Sequence, residues 1–239
     1  MLGDKEKAEI QKIFSALISP VKLINFTQTL ECQFCTETRG LLTELAALSD
    51  KLTLEVYNFQ IDTEKVKQYN IDKIPATIVE GERDYGIRFY GAPAGYEFAT
   101  LLGTITIVSK RDPGLPEPVR LKLKQVENPV HLQVFTTPTC PYCPAMVAMA
   151  HRFTMENNMI RSDMVEGIEF PHLFQKYDVM GVPRTVINEK FFVDGLVPET
   201  VLVDEILKAA NAPPEPPPAA APEPPQAAPP PANPEKPVF

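Results

Sequence analysis

Tryptophan is absent from the 239 residues, histidine occurs three times and cysteine four. No apolar stretch approaches the roughly 20 residues that a membrane-spanning helix requires. Positive charge is also short: 23 Lys and Arg against 31 Asp and Glu leave a net charge of -8. That balance excludes a broad nucleic-acid-binding face, because a phosphate backbone would be repelled rather than neutralised. The amino-terminal MLGDKEKAEIQKIF carries charges where a secretory signal needs an unbroken apolar core, which points to the cytoplasm. Thiols stay reduced there, so the four cysteines are not expected to form a structural disulfide framework.

What is present reads as globular for most of its length, with 44% hydrophobic and 23% charged residues. The cysteines are Cys32, Cys35, Cys140 and Cys143, and each belongs to a Cys-x-x-Cys. Apolar runs of strand length, VKLINF and VHLQVF, precede the two pairs, and helix-like stretches, TETRGLLTELAAL and PAMVAMAHRFTMEN, follow them. Cys32 stands 43 residues before Pro75, and Cys140 stands 43 before Pro183. Landmarks repeated at a fixed offset mark a duplicated unit.

Each unit reads as helix, strand, helix, strand, short helix, strand, strand, helix, which is an α/β arrangement with a mixed sheet flanked by helices. The leading helices span Lys5 to Ile18 and about Glu117 to Val126; the closing ones begin near Pro93 and Pro198. The expected division is 1–112 for the first unit, 113–210 for the second and 211–239 for a tail. That tail holds half of the chain's 26 prolines and offers no apolar face to bury, so it reads as disordered or extended polyproline II.

A Cys-x-x-Cys admits two chemistries. Zinc needs four ligands; the two pairs lie in separate repeats, and His131, His151 and His172 leave the first half without a histidine. Thiol-disulfide exchange needs one ionised thiol and a second close enough to resolve the mixed disulfide. A strand-to-helix junction supplies both, since the helix amino terminus stabilises a thiolate and one turn brings the second sulfur near. Thr139 is a candidate cap there. Pro141 and Pro144 fall in the first turn, where an N–H would be unpaired anyway. Met146, Met149 and Met155 read as packing rather than a metal path. Ile74-Pro75 and Val182-Pro183 each open a strand, and the equal spacing favours cis bonds that leave the preceding backbone free to pair with a substrate chain.

These residues resemble the thioredoxin fold, and Cys140-Pro-Tyr-Cys143 is similar to the active-site sequence of glutaredoxins. CQFC followed by CPYC resembles the tandem glutaredoxin-like protein disulfide oxidoreductases of thermophiles, over about residues 1 to 210. The resemblance implies that Cys32 and Cys140 attack, that Cys35 and Cys143 resolve, and that Pro75 and Pro183 are cis. It implies reduction, formation or isomerisation of protein disulfides, with no bound cofactor and no metal. Electrons would come from NADPH through a flavin-dependent, thioredoxin-reductase-like partner. The chain departs from the pattern in three places. Asn25 and Gln133 stand within a residue of the buried aspartate of thioredoxins, so proton transfer must use water or another group. GLVPET replaces the glutathione-gripping Gly-Gly-x-Asp, and the usual tryptophan is missing.

The pairs should be unequal. Glu31 beside Cys32 disfavours a thiolate, whereas Arg184 after Pro183 is placed to approach Cys140. The second pair is therefore expected to carry most of the exchange. A non-catalytic peptide-binding scaffold or chaperone and a zinc-binding protein are the alternatives.

Overall fold

The computed structural model describes residues 2–213; the expectation for the proline-rich tail falls mostly outside them. The first repeat runs α1 (Asp4–Phe14), β1 (Val21–Thr27), α2 (Cys35–Ala46), β2 (Leu52–Asn58), α3 (Thr63–Tyr69), β3 (Ala76–Glu80), β4 (Ile87–Tyr90) and α4 (Glu97–Lys110). The second runs α5 (Glu117–Leu123), β5 (Val130–Thr136), α6 (Cys143–Glu156), β6 (Ile160–Glu166), α7 (Pro171–Lys176), β7 (Arg184–Ile187), β8 (Phe191–Asp194) and α8 (Glu199–Ala210). This is the α/β order that the duplicated pattern predicts. The leading helices stop short of their expected ends because the last turn of each tightens into i→i+3 bonds, Leu17 N–H to the Phe14 carbonyl and Val126 N–H to the Leu123 carbonyl, before the chain reaches Pro20 and Pro129.

All eight strands form one sheet, ordered β2-β1-β3-β4-β6-β5-β7-β8. The two repeats meet where β4 pairs in parallel with β6, from Ile87 opposite Ser162 to Tyr90 opposite Val165. β1 and β5 consequently point the same way and end at the same edge of the sheet. Four strand spacings separate them, roughly 19 Å.

Leu42 and Leu45 of α2, Leu101 and Ile105 of α4, and Met146, Val147 and Phe153 of α6 fill one apolar layer. Tyr69, Ile71, Phe170 and Tyr177 cover the opposite face. Met146, Met149 and Met155 are all buried in the first layer, as helical spacing suggests. At the β4–β6 seam, Asp163 is fully buried between His131 Nε2 at 2.6 Å and Arg161 Nε at 3.0 Å. Arg161 also donates to Tyr90 Oη and the Asn70 carbonyl, so charged groups of one repeat are satisfied by the other.

Candidate active site

Cys32–Cys35 and Cys140–Cys143 are each joined as a disulfide, with Cα atoms 5.5 Å apart. In each pair the second cysteine opens the helix and is fully buried. The first is the outer sulfur: Cys140 is 6% exposed and Cys32 half-buried. The outer sulfur is the one a substrate can reach. Thr139 does not cap α6, whose N-cap residue is Tyr142 with no side-chain bond. The Cys143 N–H instead donates to Cys140 Sγ at 3.1 Å, so sulfur takes the place of a capping oxygen.

Both X-Pro bonds, Ile74-Pro75 and Val182-Pro183, are cis. Sheet register sets them beside the disulfides: Phe26 pairs with Ala76 and Phe135 with Arg184, which puts each proline next to the strand end that feeds a cysteine pair. Among the described residues, no backbone hydrogen bond engages Ile74 or Val182. A cavity of about 280 Å³ opens at the second site, lined by Met180, Val182, Pro183, Arg184 and Asp194. Met180 is strongly exposed at this rim, and Tyr142 is exposed between the two cysteines.

The register also corrects the residue count before the motifs. Phe26 is the structural counterpart of Phe135, so Asn25 corresponds to Val134, and Gln133 to Ile24. The first connection is one residue longer, and Glu31 accommodates it with a φ of 55°. Alternation along β1 and β5 therefore turns Asn25 and Gln133 to opposite faces. Asn25 donates to the Ala76 carbonyl, and Gln133 to Tyr177 Oη at 3.4 Å on the α7 side. Arg184 donates to Asp194 at 3.0 Å and lies over the Phe192 ring, 4.6 Å from its centroid.

The sequence reading does not single out Glu97. The closing helix of the first unit starts there, four residues after Pro93, because Ala92–Tyr96 form a loop that docks on the second unit. Tyr96 N–H donates to the Pro138 carbonyl at 3.2 Å, just ahead of Cys140, and Thr100 shares a cavity wall with Pro144. Glu97 is 2% exposed, and neither of its carboxylate oxygens closes a hydrogen bond among the described residues. Burial pushes its pKa up to about 7, against a smaller downward pull from the poorly aligned Thr100 hydroxyl.

A family model for the thioredoxin domain matches residues 130–208. The crystal structure of a protein disulfide oxidoreductase from Aeropyrum pernix superposes with a TM-score of 0.81 at 29% identity, over 88% of this chain and 94% of that one. The chain carries two thioredoxin-fold units. The amino-terminal domain of the alkylhydroperoxide reductase AhpF from Enterococcus faecalis has the same tandem fold, with a TM-score of 0.80 at 24% identity over 86% of this chain and 100% of that one. Among curated relatives, the F component of alkyl hydroperoxide reductase from Escherichia coli is 25% identical over 86% of this chain and 37% of its own length. A protein named NADH dehydrogenase from Bacillus subtilis is 26% identical over 65% of this chain and 28% of its own. The chain spans about a third of the length of these curated relatives. No helix among the described residues is long and apolar enough to cross a membrane.

Proposed function

We propose that the chain is a cytoplasmic thiol-disulfide oxidoreductase acting on protein disulfides, with the second pair carrying most of the exchange. In the reductive direction the Cys140 thiolate attacks a substrate disulfide, forming a Cys140–substrate mixed disulfide and releasing one substrate thiolate, which takes up a proton. Cys143 then loses its proton and attacks Cys140 Sγ. The Cys140–Cys143 bond forms, the mixed disulfide breaks and the second substrate thiol departs. The substrate has gained two electrons and two protons.

The observation that carries this reading is the outer, helix-terminal sulfur of Cys140 held by the Cys143 N–H beside a proline loop with unpaired backbone. Glu97 is assigned as the acceptor of the Cys143 proton because it is buried without a hydrogen-bond partner, follows the loop that docks on Pro138 ahead of the motif, and has its pKa raised to about 7 by burial. Val182 and Ile74 each supply backbone to pair with an extended substrate at their own site.

Two electrons per cycle must return to the dithiol. A flavin-dependent reductase drawing on a pyridine nucleotide is the source that fits relatives named NADH dehydrogenase and alkyl hydroperoxide reductase. The chain itself supplies only the exchanging sulfurs. Disulfide reduction and refolding of a scrambled substrate, assayed for the parent, Cys32→Ser, Cys140→Ser and the double substitution, with zinc measured alongside, test the proposal. Activity unchanged in the double substitution would rule out exchange at these cysteines and with it the oxidoreductase reading.

A further inference from the structure

After β4 the chain turns through Gly91 and Ala92. Gly91 N–H donates to the Pro75 carbonyl at 2.9 Å and so anchors the proline loop of the first site. The next N–H, that of Ala92, donates to Glu169 Oε1 of the second unit at 2.6 Å. Glu169 sits in the turn between β6 and α7, and Glu166 Oε2 fixes that turn by accepting the Glu169 N–H at 2.8 Å.

The matching turn of the first unit lies 108 residues earlier, at Asn58 and Ile61. There Asn58 Oδ1 accepts the N–H groups of Gln60 and Ile61, and Ile61 is 77% exposed. The acidic side chain of that turn, Asp62, folds back to accept the Asn58 N–H, whereas Glu169 reaches out of its own turn to the Ala92 N–H of the first unit. Gly91 makes room for it: φ is +94°, and a Cβ there would lie 2.6 Å from Glu166 Cβ and 2.9 Å from Glu169 Oε1. The second unit repeats the anchor, Gly195 N–H to the Pro183 carbonyl at 2.8 Å, but a Cβ on Gly195 would meet nothing within 4 Å.

We propose that Glu169 is a positioning residue for the first disulfide, gripping the Ala92 N–H so that Gly91 and the Pro75 loop stand ready to pair with a substrate chain. The inference rests on the reading of that loop as part of the first substrate site. It makes the first site dependent on a side chain of the second unit.

The grip is sensitive to pH. An N–H bonds more strongly to a carboxylate than to a neutral carboxyl. Glu169 faces Glu166 from β6 and Glu37 from α2, while His172 of α7 turns its ring against Phe170. Burial, with these two carboxylates adding to it against the pull of the Ala92 N–H, moves Glu169 up to about 7. The grip tightens as pH rises through neutrality.

The test uses the full chain with Cys140 and Cys143 both replaced by serine, so that only the first pair reports, a disulfide-linked model peptide, and dithiothreitol to return two electrons to the Cys32–Cys35 disulfide in each cycle. KM for the peptide should fall about fivefold between pH 6 and pH 8. Glu169→Gln should hold KM near its pH 6 value throughout, with kcat little changed. Glu166→Gln, which removes a carboxylate neighbour, should move the KM transition to lower pH. A role in folding alone would alter stability and leave these profiles in place, and a KM profile in Glu169→Gln identical to the parent's overturns the proposal. Should the first pair turn over no peptide, the reading of that site fails, and the Ala92 amide resonance decides the grip alone. A resonance titrating near pH 7 in the parent but not in Glu169→Gln upholds it; one indifferent to pH in both overturns it.

Discussion

Cys143 presents its backbone N–H to Cys140 Sγ at 3.1 Å, a bond no counterpart of which joins Cys35 to Cys32 among the described residues. The same donor that would hold a capping oxygen stabilises negative charge on sulfur when the disulfide opens. The proposed inequality between the pairs therefore rests on this contact and on the extra residue at Glu31, whereas the Arg184 guanidinium is engaged by Asp194 and Phe192.

Glu97→Gln should separate stability from exchange. In the folded chain this carboxyl titrates near 7 rather than at its ordinary 4.5, so the folded state holds the proton more tightly than the unfolded one. Stability then falls as pH rises between 4.5 and 7, by roughly 3 kcal/mol. The amide cannot ionise. Denaturant unfolding should show Glu97→Gln more stable than the parent at pH 8 and no more stable at pH 4.5. Exchange through the second pair at pH 8 should drop by about a hundredfold, the usual loss for a positioned base.

The two pairs should not exchange directly. Roughly 19 Å of hydrogen-bonded sheet lies between the strands that carry them, and a thiolate must touch the sulfur it attacks. In the variant Cys35→Ser with Cys143→Ser, the remaining Cys32 and Cys140 should form no intramolecular disulfide under mild oxidation. Non-reducing mass spectrometry of a proteolytic digest reads this out; a linked Cys32–Cys140 peptide from monomeric chain would show that the sheet opens.

Glycines on α4 and on its approach should respond in opposite directions. Gly95 has a φ of +59°, and a Cβ there would lie 2.2 Å from the Pro138 carbonyl oxygen, whereas a Cβ on Gly103 meets nothing within 4 Å. Gly95→Ala should cost about 1–3 kcal/mol and slow the second site, since the loop before Cys140 must move. Gly103→Ala should stabilise by about 0.5–1 kcal/mol. Thermal unfolding of the two variants checks both signs.

Much of this architecture is legible in the chain because duplication converts weak local signals into matched ones. One proline at a strand start says little; two at equal distances from two cysteine pairs say where the site lies. The seam between the units is not legible, since Ile87–Tyr90 resembles any short buried strand and its partner Ser162–Val165 lies in the other repeat. Glu97 and Glu169 escape for a related reason. A glutamate in a first helical turn or a strand-end turn normally faces water, and only the packing of one unit on the other buries Glu97 and half-buries Glu169. Counting residues back from the cysteines also fails by one, because the loop insertion at Glu31 shifts β1 against β5.

The most direct test of unequal pairs traps the substrate on the sulfur it meets first. The full chain carrying Cys35→Ser and Cys143→Ser, which cannot resolve a mixed disulfide, is mixed with a disulfide-linked peptide and quenched at short times. Mass spectrometry then locates the adduct. The account predicts a peptide on Cys140 forming about tenfold faster than on Cys32. Faster labelling of Cys32, or no adduct on either sulfur, would contradict it.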